Sequence, residues 1–589
     1  MKEKVELIGR EFRFAFPILT KNREEDDYHL VKEQVHYRIN GEVVIKPEMR
    51  AIKNFKRPVY VTRKNLQTHK EKREFEFIEN LQRVDTRQSE LRLNVAKMTN
   101  TFNYHASLKE MCASPYIYAA DIPSTLILRK ELYKDRWPNL LSYSTVACFD
   151  TESCMERGDI IITSACFKNE AYIGIVKRKL EGYSNPGEKI NEALNRHLEK
   201  YIKERDLKIF IYVAEDEIDL LKDTFKKIHS WRPDFLAIWN MNWDVPLLLD
   251  ACGRANVNPV DIFCDPNLPD YLKFSNYKAG QTSQPTSGGK TKLIKPANQW
   301  HTWELAASFY VIDMMCVYRR IRGGAELPNY NLDSILTREL NLTKIRIPKA
   351  DKLKKGKWHE FMQFEPGMIF DYMAYGLFDS YSMILLDEKT KDLSQRLPFL
   401  ADFTSYADYA SQTKRLRDNF YLFGLEKGVI LGSLGPKKKD PKKPQKVYDD
   451  EDVVFEDEEE LELNEDGSIE LKTLDRRDWV VTLKPHLSNL GQAICYDEPS
   501  LSTLIRAYVY DSDVVSSYPN CTLVANVSKR TRRKEICRIG DIPESVFRMQ
   551  NLNFIFGHTN AAEYTQNMFK APNFQQLNAM FAEHLRNRR

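Results

Sequence analysis

Two carboxylates two residues apart, Asp150 and Glu152, follow the apolar run Val146-Ala147-Cys148-Phe149. In a strand side chains alternate, so the pair shares one face. Neighbouring acids at a strand end repel each other unless a cation neutralises them, and Asp-Thr-Glu therefore points to a divalent-metal site. Alone the motif is weak, because the same spacing occurs on solvated strands. Two later segments answer to it. Trp239-Asn240-Met241-Asn242-Trp243-Asp244-Val245-Pro246 sets Asp244 at the start of a helix just past a strand. Tyr375 and Asp379, four residues apart in a long helical stretch, lie on one face, one turn apart. Asp150, Glu152, Asp244 and Asp379 can hold two divalent ions that clamp a phosphodiester, one lowering the pKa of the attacking water and the other stabilising the leaving oxygen. Hard oxygen ligands favour Mg²⁺ or Mn²⁺. Tyr375 would hold the water in line. Asp313 is read as structural, since four acids already fill the ligand set.

These residues need elements to carry them. Apolar runs at 144–149, 159–167, 208–214, 235–239 and 308–312 read as strands. Helical spacing marks 217–229, a segment from about 244, and one long helix over 366–391. The alternation predicts an α/β layer with a central mixed sheet, spanning 144–400. Residues 1–143 read as a mixed N-terminal domain with no nameable chemistry, and 276–300 as an exposed excursion. Residues 401–500 form a connector in which 436–469, a basic block running into an acidic one, reads as a solvated, disordered linker. Residues 501–589 form a last domain.

The 589-residue chain has 88 Lys and Arg against 84 Asp and Glu. Acid is concentrated at 449–460, which leaves the rest more basic, with Lys and Arg gathered at 50–75 and 526–535. Basic patches with interleaved aromatics suit a phosphate backbone and stacked bases, and equally an ordinary solvated surface. No run approaches a membrane span, and the charged Met1-Lys2-Glu3-Lys4 has no signal-peptide core. Ten scattered cysteines without C-x-x-C indicate neither a zinc site nor a disulfide framework, so an intracellular compartment is expected.

The order F-D-x-E, W-N-x-x-W-D-x-P, Y-x-x-x-D resembles the three exonuclease motifs of family B DNA polymerases, the proofreading kind, and most closely the phage-type members. Tyr330-Asn331-Leu332-Asp333-Ser334-Ile335-Leu336 resembles the segment before the third motif. Lys344 stands where the family often has an active-site lysine. In phage relatives the Asn and Asp of the second motif are usually one residue further apart, so either Asn240 contacts substrate or Asn242 takes part of its role.

Downstream, Asp513-Val514-Val515-Ser516-Ser517-Tyr518-Pro519 resembles the family's polymerase motif A. The resemblance implies that Asp513 binds metal under the incoming triphosphate, that Ser516 approaches the phosphates, and that Tyr518 packs under the sugar. No Asp-Thr-Asp follows Asp513, and Met549 stands where the fingers motif needs Lys. The resemblance, covering roughly 50–570, thus implies an RNase H-like exonuclease domain flanked by the N-terminal domain and a partial polymerase palm. It implies the N-terminal subunit of a split DNA polymerase that acts at the site of DNA replication, in the cytoplasm of a phage-infected cell. Expected partners are a primer 3′ end and template–primer DNA, deoxynucleotides, a second subunit with fingers, second catalytic motif and thumb, and a sliding clamp; no membrane is expected. The rival expectations are a free-standing 3′→5′ DNA exonuclease with a vestigial palm, a non-enzymatic assembly factor, and a truncated sequence.

Overall fold

The computed structural model describes residues 5–19, 25–69, 76–99, 107–134, 136–137, 140–285, 291–322, 327–353, 357–433, 555–556 and 559–560. The chain divides into two compact units, Met1–Val454 and Phe455–Arg589. Of the second unit, only the two-stranded ribbon Ile555–Phe556 and Thr559–Asn560 is described. Asp513, Ser516, Tyr518, the 436–469 linker and the 526–535 basic stretch lie outside the described residues.

The first unit begins with three long antiparallel strands, β1 (Val5–Ile18), β2 (Tyr28–Ile39) and β3 (Glu42–Lys53). A second small sheet, ordered β5-β4-β6, follows from β4 (Lys56–Thr62), β5 (Leu81–Arg87) and β6 (Ile117–Tyr118), with helices α1 (Leu91–Met98), α2 (Leu108–Met111) and α3 (Ser124–Arg129). These elements join the main core. Phe16 of β1 stacks on Tyr310 with ring centroids 5.7 Å apart.

The main sheet has eight strands: β7 (Val146–Ser153), β8 (Ile160–Phe167), β9 (Glu170–Val176), β10 (Lys208–Ala214), β11 (Phe235–Ile238), β12 (Ser275–Lys278), β15 (Thr302–Leu305) and β16 (Tyr310–Asp313). The intervening excursion is a ribbon of β13 (Ser283–Pro285) and β14 (Thr291–Leu293). The spatial order is β10-β9-β8-β7-β11-β16-β15-β12. Strands β7, β8 and β9 run antiparallel in succession, whereas β7, β11 and β16 are mutually parallel neighbours. The α/β expectation therefore holds, with a mixed central sheet. Three strands of this sheet were not expected: β12 and β15, which flank the excursion, and β9, joined to β8 by a two-residue turn in which Lys168 has φ 55°. That turn carries no Asn-Gly or Asp-Gly signature to betray a hairpin.

Helices cover both faces of the sheet. They are α4 (Pro186–Arg205), α5 (Glu217–Trp231), α6 (Met241–Arg254), α7 (Pro259–Phe263), α8 (Met314–Arg322), α9 (Leu332–Leu340), α10 (Lys357–Phe364) and α11 (Met368–Thr390). Alternation along β8 shows which helix lies where. Thr163 bonds the Thr224 hydroxyl of α5 at 2.7 Å, while its neighbour Ser164 donates to the Gly376 carbonyl of α11 at 2.8 Å. Gly174 of β9 lets α5 approach, because a Cβ there would stand 2.4 Å from Leu220 Cδ1. Helix α11 is buried on nearly every side, between the sheet and α4, α9 and α10, so its sequence is apolar without a clear stripe. Gly367 at φ 82° starts it, and Lys391 at φ 56° ends it.

Past α12 (Leu397–Ala401), the part of the connector that is described folds back rather than leading away. Helix α13 (Gln412–Glu426) sends Tyr421 and Leu422 into a core with Tyr60, Tyr118 and Ile430. Thirteen α-helices occur among the described residues, and none is long and apolar enough to cross a membrane.

Buried charge ties the N-terminal sheet to the main one. Lys32 of β2 is fully buried, and its Nζ donates to the carbonyls of Arg232 (2.9 Å), Pro233 (3.3 Å) and Ser308 (2.7 Å). Just before β11, Asp234 accepts from Gln34 Nε2 (2.9 Å), the Thr145 amide (2.9 Å) and Arg13 Nε (3.3 Å). Removing one member of such a buried network leaves the others desolvated and unpaired, at a cost of roughly 3–5 kcal/mol. Asp234→Ala should therefore lower the denaturant midpoint of the first unit by a corresponding amount. A midpoint within error of wild type would show that the network carries no stability.

Candidate metal-binding active site

The parallel strands β7, β11 and β16 end together, and their last residues lead into the acidic cluster. Strand β7 continues through the Asp-Thr-Glu motif to Ser153. Asp150 pairs in register with Ser164 and Glu152 with Ile162, on the face that packs against α11. Asp379 projects from α11 to the same place. Carboxylate oxygens of Asp150, Glu152 and Asp379 all lie within 4.8 Å of one another, with Asp150 partly exposed and the other two buried. The expected convergence of these three acids is present.

Asp244 reaches the site from the opposite face. The helix begins at Met241 rather than near 244, so Asp244 lies in its first turn, where an acid complements the helix dipole. Its Oδ1 accepts from Thr151 Oγ1 at 2.6 Å. Thr151 sits between the two acids of β7 and points to the α5–α6 side, as its register partner Thr163 does. Asp244 thus stands beside the three-carboxylate group rather than inside it, and it repels Asp150 more than any other charge does. Asp313 is fully committed to structure: its Oδ2 accepts from the Met241 amide (3.0 Å) and its Oδ1 from the Cys316 amide (2.8 Å), starting α6 and α8. Asn240 precedes α6, and its buried Oδ1 has no hydrogen-bond partner among the described residues. Trp243 beside it is 63% exposed, an uncommon state for so large an aromatic.

Lys344 is the cation of the site. Its Nζ donates to Asp379 Oδ2 at 2.5 Å and to the Tyr375 hydroxyl at 3.1 Å. No regular element holds it. Instead Asp333 of α9 accepts the Lys344 amide at 2.7 Å and pairs with Arg346 at 2.7 Å. Tyr375 is wedged from the other side by Trp358 of α10, with ring centroids 4.7 Å apart.

Four residues with clear roles escaped the sequence: Thr151, Asp333, Tyr372 and His359. Tyr372 donates to Glu152 Oε2 at 2.5 Å, and His359 Nδ1 lies 3.0 Å from the Tyr372 hydroxyl. The signal for Tyr372 was available, since it precedes Tyr375 by three residues and Asp379 by seven, on one helical face.

The electrostatics are those of a site short of positive charge. Burial and then repulsion from Asp244, Glu152 and Asp379 raise the Asp150 pKa well above the usual range, against the pull of Lys344. Burial lifts Glu152 to about 8, opposed by the Tyr372 hydrogen bond, and Asp244 to about 7, opposed by Thr151. Asp379 is also raised by burial, although Lys344 counters it. Asp379 Oδ1 is buried without a hydrogen-bond partner among the described residues. One lysine against four acids, with this buried carboxylate oxygen of Asp379 unpartnered, is a donor set suited to a cation with oxygen preference. The three clustered carboxylates can hold a metal ion.

The chain matches no protein-family model and no curated protein.

The raised carboxyl pKa values fix a sign. Between about 4.5 and 8 the folded protein keeps a proton on Glu152 that the unfolded chain has lost. Stability of the metal-free protein should therefore fall as pH rises through that window and level off above it. A divalent cation binds the ionised form, so Mg²⁺ should raise Tm more at pH 8.5 than at pH 6. Equal Mg²⁺ increments at both pH values, by differential scanning fluorimetry, would remove the acids from metal binding. Tyr372→Phe frees Glu152 from its anchor and should weaken Mn²⁺ binding about 10–100-fold, the usual cost of losing such a support; unchanged calorimetric affinity would leave Tyr372 a packing residue only.

Proposed function

We propose that this chain is a divalent-metal-dependent 3′→5′ exodeoxyribonuclease, and that it forms the N-terminal part of a family B DNA polymerase whose polymerase site is completed by another chain. The observation that carries the nuclease reading is the meeting of Asp150, Glu152 and Asp379 within 4.8 Å, with Lys344 bridging Asp379 and Tyr375. The strand order β9-β8-β7-β11-β16, antiparallel through β7 and parallel beyond it, supports an RNase H-like core. The polymerase part rests on the sequence motif around Asp513 alone.

In this reading Asp150, Glu152, Asp244 and Asp379 would hold a pair of Mg²⁺ or Mn²⁺ ions, which would supply a water of lowered pKa and charge stabilisation at the leaving oxygen. The protein's own groups do the rest. Tyr375, held between Trp358 and Lys344, presents its hydroxyl toward Asp379 and orients the attacking water. Burial and the neighbouring carboxylates keep that hydroxyl protonated at neutral pH. Lys344 holds a positive charge beside Asp379, where the phosphate's negative charge grows. Its own pKa is raised by Asp379, against desolvation, so it stays charged. Asn240 has an amide oxygen left unpaired among the described residues, which would take a hydrogen bond from the terminal nucleotide, and Trp243 an exposed ring on which a base would stack.

The substrates would be a primer 3′ end, single-stranded DNA and template–primer DNA. Deoxynucleotides, a second subunit carrying fingers and thumb, and a sliding clamp would be the polymerase partners, at the site of DNA replication in an infected cell.

With Mg²⁺ the full chain should shorten a 5′-labelled single strand stepwise from its 3′ end, and EDTA should stop it. Asp150→Ala and Asp379→Ala should each abolish the ladder, Asp150→Ala without lowering Tm. Tyr375→Phe should slow it by about 10–100-fold with Mn²⁺ affinity retained. Full activity in either aspartate variant would sink the site, and an unaltered rate in Tyr375→Phe would end its water-orienting role.

A further inference from the structure

Beyond Lys344, the segment toward α10 is unusually basic. Seven of the fourteen residues 344–357 are Lys or Arg, and one is acidic. Its described part is firmly built. Ile347 and Ala350 are buried in the main core, and the Asp351 amide bonds the Ile347 carbonyl at 2.9 Å. Asp351, the one acid, is consumed internally: Oδ2 accepts from the Ile347 amide and Oδ1 from Trp358 Nε1, each at 3.1 Å. Arg346 and Lys357 are paired, to Asp333 and Glu360. Lys349 and Lys352 are exposed, and neither forms an ion pair among the described residues. Their two ammonium groups are thus displayed on a pinned turn, not on a floppy loop.

That turn is continuous with the site. Trp358, which caps Asp351, is the ring that packs on Tyr375. At no more than about 3.6 Å per residue, Lys349 and Lys352 lie within roughly 18 and 29 Å of Lys344 along the chain, a span of a few nucleotides. The segment buries Ile347 and Ala350 and half-buries Ile345, leaving only Pro348 and Leu353 exposed among its described apolar residues, so it offers charge rather than an inserting hydrophobic face.

We propose that Lys349 and Lys352 form a phosphate track that grips the backbone of single-stranded DNA a few nucleotides from the end held at the acidic cluster. This rests on the nuclease reading for the direction of the strand, but not for the binding itself. Each lysine on a phosphate releases a condensed counterion, so each contact adds about 0.7 to the slope of log affinity against log salt for a single strand.

The test is fluorescence anisotropy of a labelled ten-nucleotide oligothymidylate with the full chain in EDTA, over a NaCl series. Lys349→Ala/Lys352→Ala should reduce the slope by about 1.4 and weaken binding about 25-fold at 0.1 M salt. Lys349→Arg/Lys352→Arg should restore both. With Mg²⁺, the alanine pair should raise KM for the oligonucleotide while hydrolysis of the p-nitrophenyl ester of thymidine 5′-monophosphate, too short to reach the track, stays at the wild-type rate. Wild-type slope and affinity in the alanine pair would overturn the track, whatever the chain hydrolyses. A reduced slope in a chain that cleaves neither substrate would uphold the track and overturn the nuclease reading instead.

Discussion

Four carboxylates drawn into one buried corner, with a single lysine among them, form the constraint around which the fold is arranged. Left alone, such a corner is unfavourable: burial and mutual repulsion push the acids toward their neutral forms. The protein holds the corner together through groups that accept no substrate themselves. Thr151 restrains Asp244, Tyr372 restrains Glu152, and Asp333 sets the backbone of Lys344. Each acts from a different element, so the cluster depends on the docking of α6, α9 and α11 on one sheet. A cation would relieve this repulsion, and its affinity would then depend on the docking of these elements rather than on any single side chain.

The sheet explains why the acids meet where they do. Parallel neighbours β7, β11 and β16 run to the same side, and they bring there Asp150 within β7, Asp313 at the end of β16 and Asp244 in the helix that follows β11. Asp313 spends both oxygens on helix starts, which frees its neighbours for chemistry. Helix α11 runs across the other face of β7 and β8 and adds Asp379 and Tyr375. A site assembled from both faces of one strand, with Thr151 and Asp150 pointing opposite ways, is rigid because moving one acid requires moving the sheet.

Much of this was legible in the sequence, and the limits have physical causes. Period-two spacing put Asp150 and Glu152 together, and period-four spacing put Tyr375 beside Asp379; both pairings depend only on backbone geometry. Asp244 was legible as an acid in the first turn of a helix, though the helix starts three residues sooner. Strand β9 was missed because its turn lacks a signature, and Tyr372 because an aromatic on an apolar helix reads as core until its hydroxyl is seen on Glu152. Lys344 could be singled out only by resemblance: it lies in a segment without periodicity, positioned by tertiary hydrogen bonds. The same absence of periodicity hid Lys349 and Lys352, whose charge is informative only because Asp351 is already spent on Trp358.

The central claim is that the acidic corner is a metal site. Crystals of the full chain soaked in Mn²⁺ and measured at the manganese edge test it directly. The account predicts an anomalous peak within coordination distance of Asp150, Glu152 and Asp379, lost in Asp150→Ala. Saturating Mn²⁺ with no peak among those three carboxylates would contradict it.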